Sequence, residues 1–155
     1  MQFLRPEATK QFEGFKPKIY KDSKGKNTIG YGFNIDDSTV REFIPEDVLD
    51  GKRSITRKES DFIFKELYSV AQQDAIKFVG EASYANLNDA RRGVLVDMAY
   101  NMGSPKLNQF IKLKQAVVHG NWRKAAHEMR NSKWFKQVNR RARILVEQMR
   151  TGKYK

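Results

Sequence analysis

The chain has no cysteine and only two histidines among its 155 residues. Without cysteine neither a disulfide nor a thiolate-bound metal can form, and His119 and His127 are too few for a His-rich metal site. No apolar run approaches the ~20 residues that a membrane-spanning helix needs. The N-terminus lacks the apolar segment of a secretory signal peptide. We therefore expect no metal, no cofactor and no membrane insertion. We also expect the protein to be made in a cytoplasm and to be released from it by another route.

Acidic residues are in the minority, so the formal net charge is +12 and the pI is about 9.9. Residues 119–155 alone carry eleven Lys and Arg against two acids, a net charge of +9. A field of this size attracts anionic polymers, and both nucleic acid and the envelope of a bacterium are candidates. Charge alone leaves two non-enzymatic alternatives open, namely a nucleic-acid binder and a membrane-active protein acting through the basic stretch NRRARILVEQMR.

Helical patterns cover most of the chain. Thr56 and Glu59 form a capping box that opens a long helix, which we expect to end near Val79. The following helix, capped by Asn88 and ending near Met102, is apolar on nearly every side and is expected in the core. Residues 18–21 and 28–33 instead predict two strands of a small antiparallel sheet. The predicted fold class is α+β, mainly α, in one domain.

Shorter elements complete the prediction. Pro6 suits the first turn of an opening helix, and Gly14 is a natural C-cap after it. Two further pieces are expected before the long helix, one capped by Ser38 and one that Pro45 begins. After residue 103 we expect short helices at 106–110, 111–119, 122–130 and 139–151.

Three side chains near the front of the chain carry chemistry: Glu13, Asp22 and Thr28. Glu13 closes the opening helix, Asp22 lies in a turn by composition, and Thr28 begins the second strand. Glycoside hydrolysis needs one carboxylic acid to protonate the departing oxygen and a second carboxylate to activate water or stabilise positive charge. A nearby hydroxyl can hold the water. Taken alone, such a pair of carboxylates is usually a pair of solvated surface charges.

The surrounding residues are more specific. The strings EGFKPKIYKD and SKGKNTIGYG resemble the catalytic signature of the phage-type lysozymes and related endolysins, in which a Glu, an Asp and a Thr have the same spacing. DARRGVLVDMAYNMG is similar to the central helix of that family, and NWRKAA, SKWFKQ and NRRARILVEQMRTGKY are similar to its later helices. The resemblance implies a β-containing lobe at about 13–60. It also implies a larger helical lobe at about 61–155 plus the N-terminal helix, with a long helix joining the two.

The resemblance implies roles as well. Glu13 is expected to be the general acid, which requires a pKa near the working pH. Asp22 is expected to stay ionised as base or electrostatic stabiliser, and Thr28 to orient the water. An arginine of the last helix accompanies the acid in the family, and Arg141 aligns there, with Arg140 as the alternative. Both are otherwise part of the basic face.

The implied reaction is hydrolysis of bacterial peptidoglycan by a monomer, at the β-1,4 bond between N-acetylmuramic acid and N-acetylglucosamine, with inversion. Asn34 and Tyr100 are the candidate sugar contacts, although Tyr100 is equally consistent with a core position. Tyr31 either forms part of the cleft wall or packs. A glycine within a strand often marks a close backbone approach, and Gly30 and Gly32 are expected to leave room for a sugar chain beside Thr28. Nucleic acid is not expected as a partner.

Some positions depart from the family pattern. Phe33 stands where a histidine forms a salt bridge, and Asn34 replaces an apolar cleft residue. Leu113 and Glu128 stand where uncharged polar sugar contacts are expected. These changes leave the reaction unaltered and affect the fine substrate preference.

Overall fold

The computed structural model describes residues 6–154, and the chain divides into two compact units. The N-terminal unit is Pro6–Ser69, and the C-terminal unit contains the described residues from Val70 onward. The C-terminal unit is mainly helical, and the N-terminal unit combines helices with the three-stranded sheet. The predicted fold class is thereby confirmed. The predicted lobe limits of about 13–60 and 61–155 stay a prediction.

The N-terminal unit combines a short opening helix, the sheet and the first part of a long helix. The strands are antiparallel and adjacent in chain order. Its elements are α1 (Pro6–Glu13), β1 (Lys16–Lys21), β2 (Asn27–Gly30), β3 (Phe33–Asn34), α2 (Ser38–Arg41), α3 (Glu46–Leu49) and α4 (Arg57–Val79), the last of which contains the boundary between the units.

The second strand is shorter than its sequence suggests. Residues 28–33 were expected to form one strand, but β2 ends at Gly30 and β3 begins at Phe33. Gly30 and Gly32 have φ angles of +65° and +73°, in the left-handed region that only glycine enters at little cost. The chain therefore turns between them, and Ile29 pairs back onto Phe33. The prediction of one continuous strand was wrong because these two glycines make a tight turn.

Caps decide where the helices of this unit begin. Asp37, not Ser38, caps α2, because its carboxylate accepts hydrogen bonds from the Thr39 and Val40 N–H groups. The predicted capping box is confirmed: the Glu59 N–H donates to Thr56 Oγ1 and the Thr56 N–H donates to Glu59 Oε1, each at 3.0 Å. Such reciprocal bonds satisfy two of the free donors at a helix start.

The C-terminal unit is built around α6. Asn88 caps this helix through a bond from the Arg91 N–H, as predicted, and its side chains at 94–99 are all buried. A helix apolar on nearly every side needs partners all round, which is why shorter helices follow it. Besides the end of α4, the elements are α5 (Glu81–Asn86), α6 (Asp89–Met102), α7 (Ser104–Leu107), α8 (Ile111–Val118), α9 (Trp122–Arg130), α10 (Lys133–Val138) and α11 (Arg140–Thr151). Leu113, expected near sugar, is fully buried in this core.

Candidate active site

Glu13 is the last residue of α1, and Gly14 ends the helix with a φ of +71° and a 2.8 Å bond from its N–H to the Lys10 carbonyl. The Glu13 carboxyl lies directly against the backbone of Gly32. A Cβ built on Gly32 would lie 2.8 Å from Glu13 Cδ, closer than real Cβ contacts come. A glycine at position 32 therefore allows both the turn and the close approach of the Glu13 carboxyl.

Asp22 is held by the turn between β1 and β2. Its Oδ1 accepts the N–H groups of Lys24 at 2.8 Å and Lys26 at 2.9 Å, while the Gly25 N–H donates to the Asp22 carbonyl at 2.9 Å. An Asx turn of this kind orients the carboxylate without help from any other side chain. Within residues 6–154 no donor reaches the second oxygen, Oδ2, which stays available as an acceptor.

Thr28 is buried, and its Oγ1 donates to the Lys26 carbonyl at 2.9 Å. The backbone of Lys26 therefore contacts both functional side chains, with its N–H on Asp22 and its carbonyl on Thr28. Because the hydroxyl hydrogen is already used, the remaining capacity of Thr28 is its lone pairs. Thr28 can accept a hydrogen bond from water while Asp22 Oδ2 accepts another.

Tyr20 is a residue of this site that the sequence analysis missed. It pairs with Thr28 across β1 and β2, and Thr28 pairs with Asn34 across β2 and β3, so the three occupy one cross-strand row. Burial raises the pKa of Tyr20, and the negative charges of Glu13 and Asp22 raise it further. The phenol therefore stays neutral and lies within the electrostatic influence of both carboxyl groups. The available signal was the position of Tyr20, two residues before Asp22 in a strand.

The two predicted sugar contacts of this unit differ in accessibility. Asn34 is half-buried, and its Oδ1 accepts the Asp36 N–H at 3.0 Å, which leaves the amide nitrogen uncommitted among the described residues. Tyr31 is buried, and its hydroxyl donates to Asp61 Oδ1 at 2.9 Å. Burial raises the pKa of Tyr31, and this hydrogen bond raises it further. The Tyr31 ring packs against Phe15 at a centroid distance of 5.4 Å and also lines a cleft with Lys10 and Asp61, so its role in the substrate cleft stays a prediction.

The space beside the two glycines is filled by the protein. A Cβ on Gly30 would lie 2.6 Å from the Phe33 ring and 3.2 Å from Ser60 Oγ, and the corresponding space at Gly32 holds the Glu13 carboxyl. The two glycines therefore make room for Phe33 and for the Glu13 carboxyl, and room for a sugar chain beside Thr28 stays a prediction. Phe33, the residue in place of a salt-bridged histidine, is a core side chain with 1% exposure.

Comparison with known proteins identifies the family, because the phage lysozyme family model matches residues 10–151. The chain belongs to the phage lysozyme family. It is 28% identical to probable T4-type lysozyme 2 of Dictyostelium discoideum over 155 residues, covering 92% of this chain and 91% of the relative. It is 30% identical to probable T4-type lysozyme 1 of the same organism over 152 residues, covering 90% and 89%.

A third relative shows this type of domain inside a larger protein. The chain is 28% identical over 158 residues to the pre-baseplate central spike protein Gp5 of Enterobacteria phage T4, covering 94% of this chain but 27% of that protein. Membership of the lysozyme family makes the chain a glycoside hydrolase by class, and peptidoglycan is the polymer on which this family acts.

Two predicted residues of the lysozyme belong to the C-terminal unit. Tyr100 is half-buried on α6, and its role as a sugar contact stays a prediction. Arg141 forms a bidentate ion pair with Asp97, from Nε to Oδ2 at 2.8 Å and from Nη2 to Oδ1 at 2.9 Å, and both side chains are buried. The association of Glu13 with Arg141 or Arg140 would join different units and stays a prediction.

Two kinds of feature are absent from residues 6–154 of this lysozyme. No cluster of three or more His, Cys, Asp and Glu side chains is arranged to hold a metal ion. No helix in the same range is long and apolar enough to cross a membrane.

Proposed function

We propose that this lysozyme is a muramidase that hydrolyses the β-1,4 bond between N-acetylmuramic acid and N-acetylglucosamine, with inversion, and thereby lyses bacteria. The observation that carries the proposal is the turn in which the Lys26 backbone holds both Asp22 and Thr28. Glu13 lies in the same unit, against Gly32 in the turn between β2 and β3. A carboxyl, a carboxylate and a hydroxyl are the groups that this reaction requires.

Glu13 is the proposed general acid. It is protonated when the substrate binds and gives its proton to the glycosidic oxygen as the bond to the anomeric carbon breaks. The sugar that keeps the anomeric carbon develops positive charge, and the departing sugar leaves as an alcohol. The packing of the carboxyl against Gly32 holds the acid in one place, which limits the conformational search before proton transfer.

Asp22 and Thr28 are proposed to handle the water. Thr28 Oγ1 has already given its hydrogen to the Lys26 carbonyl, so it accepts one hydrogen of the water. Asp22 Oδ2 accepts the other, since Oδ1 is occupied by two backbone N–H groups. Both hydrogens then point into the protein, and an oxygen lone pair is directed at the anomeric carbon. Attack forms the new C–O bond, and the released proton passes to Asp22.

Inversion follows if the water attacks from the face opposite the leaving group. That geometry needs the carboxyl groups of Glu13 and Asp22 about 6.5–9.5 Å apart, so that the water fits between Asp22 and the sugar. Tyr20 adds a neutral, partly buried surface near both groups. We assign to it the separation of the two carboxyl groups from bulk water, which strengthens the electrostatic interactions between them and the reacting sugar.

The test uses purified peptidoglycan and mass spectrometry of the released fragments. Wild type is expected to produce reducing N-acetylmuramic acid ends, and Glu13→Gln to lose at least about 10²-fold in rate because the acid is gone. Glu7→Gln is the matched control, since it removes a carboxylate from the same helix at a side chain that is 79% exposed. It is expected to keep wild-type activity.

The stereochemistry is read from the anomer of the new reducing end, by NMR before mutarotation. The α anomer first is the expected result. The β anomer first would contradict inversion and make Asp22 a nucleophile or ion-pair partner. Anhydro-muramic ends would mean that no water attacks, which would contradict the role of Thr28. Equal activity of wild type and Glu13→Gln would refute the assignment of the acid.

A further inference from the structure

The segment from β1 to the start of β2 carries an unusual concentration of positive charge. Residues 16–26 contain five lysines and one acid, Asp22, so their net charge is +4. All five ammonium groups are on exposed side chains, and within residues 6–154 none forms an ion pair. We call these residues the lysine hairpin: Lys16, Lys18, Lys21, Lys24 and Lys26.

This charge is local and is not part of the general basicity of the chain. Residues 6–69 contain twelve Lys and Arg and twelve Asp and Glu, so the N-terminal unit has no net charge. The compensating acids are concentrated in residues 36–50, where six acids accompany one arginine. Hairpin lysines act on Asp36: two hydrogen bonds from Asn27 lower the pKa of this carboxyl, and the charges of Lys26 and Lys21 lower it further.

The lysine side chains do not form the turn of the hairpin. The turn is made by the backbone N–H groups of Lys24 and Lys26 on Asp22, and any residue supplies an N–H group there. Like charges at close positions of a hairpin repel one another and destabilise it. A role outside the fold explains why five lysines are present where uncharged residues would fold as well.

The position of the hairpin indicates what that role concerns. Asp22 lies in its turn, and Tyr20 and Thr28 form a cross-strand pair beside it. A polymer held by the lysines therefore runs next to the proposed reacting groups. Lys16 and Lys18 are alternate residues of β1, about 7 Å apart, while Lys21 ends the strand and Lys24 and Lys26 follow in the turn. Cations spread along a hairpin in this way suit a chain with repeated charges better than a single anion.

We propose that the lysine hairpin binds an anionic phosphodiester polymer carried by the cell wall, and so holds the wall beside the catalytic residues. Lysine ammonium groups bind phosphate as mobile point charges, without a fixed geometry. Nucleic acid has the same backbone chemistry, but single strands also need exposed aromatic faces on which bases stack. Tyr20 is half-buried, and Lys16 Nζ lies 5.6 Å from the centre of its ring. The wall as partner rests on the proposed function.

The experiment measures binding in a Glu13→Gln background, so that the wall is not degraded. The hairpin variant is Lys18→Gln, Lys24→Gln and Lys26→Gln, which keeps every backbone contact of Asp22. The control variant is Lys52→Gln, Lys58→Gln and Lys65→Gln, three exposed lysines of the same unit outside the hairpin. Thermal unfolding establishes that each variant is folded.

Each protein is sedimented with Gram-positive walls that keep their phosphodiester polymer and with the same walls after hydrofluoric acid has removed it. Salt is varied from about 50 to 200 mM. Log K falls linearly with log salt, and each phosphate contact adds about 0.7 to the steepness of that fall. Because the hairpin variant lacks three lysines, its fall is expected to be less steep by about 2. Its affinity for intact walls should fall about 10²-fold at the lower salt and by a smaller factor at about 200 mM, with a much smaller change on stripped walls.

Three results would overturn the proposal. An equal loss of affinity for intact walls in the hairpin variant and the control variant would show that only total charge matters. Equal binding of the parent protein to intact and stripped walls would show that the phosphodiester polymer is not the partner. A hairpin-dependent preference for single-stranded DNA over intact walls would show that the surface binds nucleic acid. The muramidase proposal is tested separately with stripped walls and the protein that keeps Glu13. Absence of released fragments there would count against the muramidase, whatever the binding results.

Discussion

Gly32→Ala is a sharp test of how the proposed acid is held. The alanine Cβ would meet the Glu13 carboxyl, with Cδ only 2.8 Å away, and the backbone has a φ of +73°. The substitution therefore makes two demands at once. The residue must keep a left-handed conformation that alanine disfavours, and the Glu13 carboxyl must move away from its present position.

The two demands have different sizes and different readouts. The left-handed conformation costs about 1–2 kcal/mol of stability for a residue with a Cβ. For a chain of this size each kcal/mol lowers the Tm by about 2–4 °C. A displacement of a catalytic group by about 1 Å can cost about 10²-fold in rate. We therefore expect a Tm lowered by several degrees and a kcat/KM lowered by about two orders of magnitude.

Gly51→Ala separates the two effects. Gly51 has a nearly identical φ of +75° in the same unit, but a Cβ there would meet nothing within 4 Å. It should therefore show the loss in Tm without the loss in activity. Both variants are measured by circular dichroism during heating and by release of reducing ends from peptidoglycan.

The reasoning is refuted if Gly32→Ala lowers the Tm but keeps the activity of Gly51→Ala. That outcome would mean either that Glu13 works from a different position, or that it is not the acid. A loss of activity in Gly51→Ala as large as that in Gly32→Ala would show that stability limits the assay.

Two further predictions concern stability. Arg141→Gln would leave the Asp97 carboxylate buried without its bidentate partner, so the free energy of unfolding in urea should fall by about 3–5 kcal/mol, and a loss below about 1 kcal/mol would contradict the importance of the pair. The pKa of Glu59 is lowered from its ordinary value of 4.5 to about 2, mainly by hydrogen bonds from Arg53 and also by the Thr56 N–H. The stabilisation by ionised Glu59 is therefore complete above about pH 4.5 and is lost as the pH falls through about 2. Glu59→Gln should cost about 1 kcal/mol at pH 7, given the partial exposure of the pair, and nothing near pH 2 in thermal unfolding; a pH-independent difference would contradict this.

Local signals were enough for the helices that begin with a side-chain cap. The Thr56–Glu59 capping box and the Asn88 cap lie next to the groups that they satisfy, so the sequence displays both partners together. The start of α2 was misplaced by one residue because Asp37 and Ser38 are both good caps. Only the backbone geometry, which directs two N–H groups at Asp37, decides between them.

Glycine pairs are harder to interpret than caps. Gly30 and Gly32 were correctly expected to mark close backbone approaches, but the sequence does not say what approaches. In the structure it is Phe33 at one glycine and Glu13 at the other, and the chain turns between them. The contact between Glu13 and Gly32 brings together residues 19 positions apart, and no periodic pattern predicts it.

The candidate site was predicted in its residue types and not in its connections. The spacing of Glu13, Asp22 and Thr28 was informative because it resembles a family signature. The link through the Lys26 backbone uses atoms that every residue has, so no side-chain pattern displays it. The Arg141–Asp97 pair left one signal, an aspartate within an otherwise apolar stretch of α6, although its partner is 44 residues away.

Through its N–H and its carbonyl, the Lys26 backbone connects the proposed base, Asp22, to the proposed water-orienting hydroxyl of Thr28. If the hairpin shifts, Asp22 and Thr28 move together, and the seat of the water between them keeps its shape. Glu13 belongs to a different element, α1, so its separation from that seat is not fixed by the Lys26 link. In the proposed mechanism this separation spans the scissile bond, and it is the distance that decides between inverting and retaining chemistry.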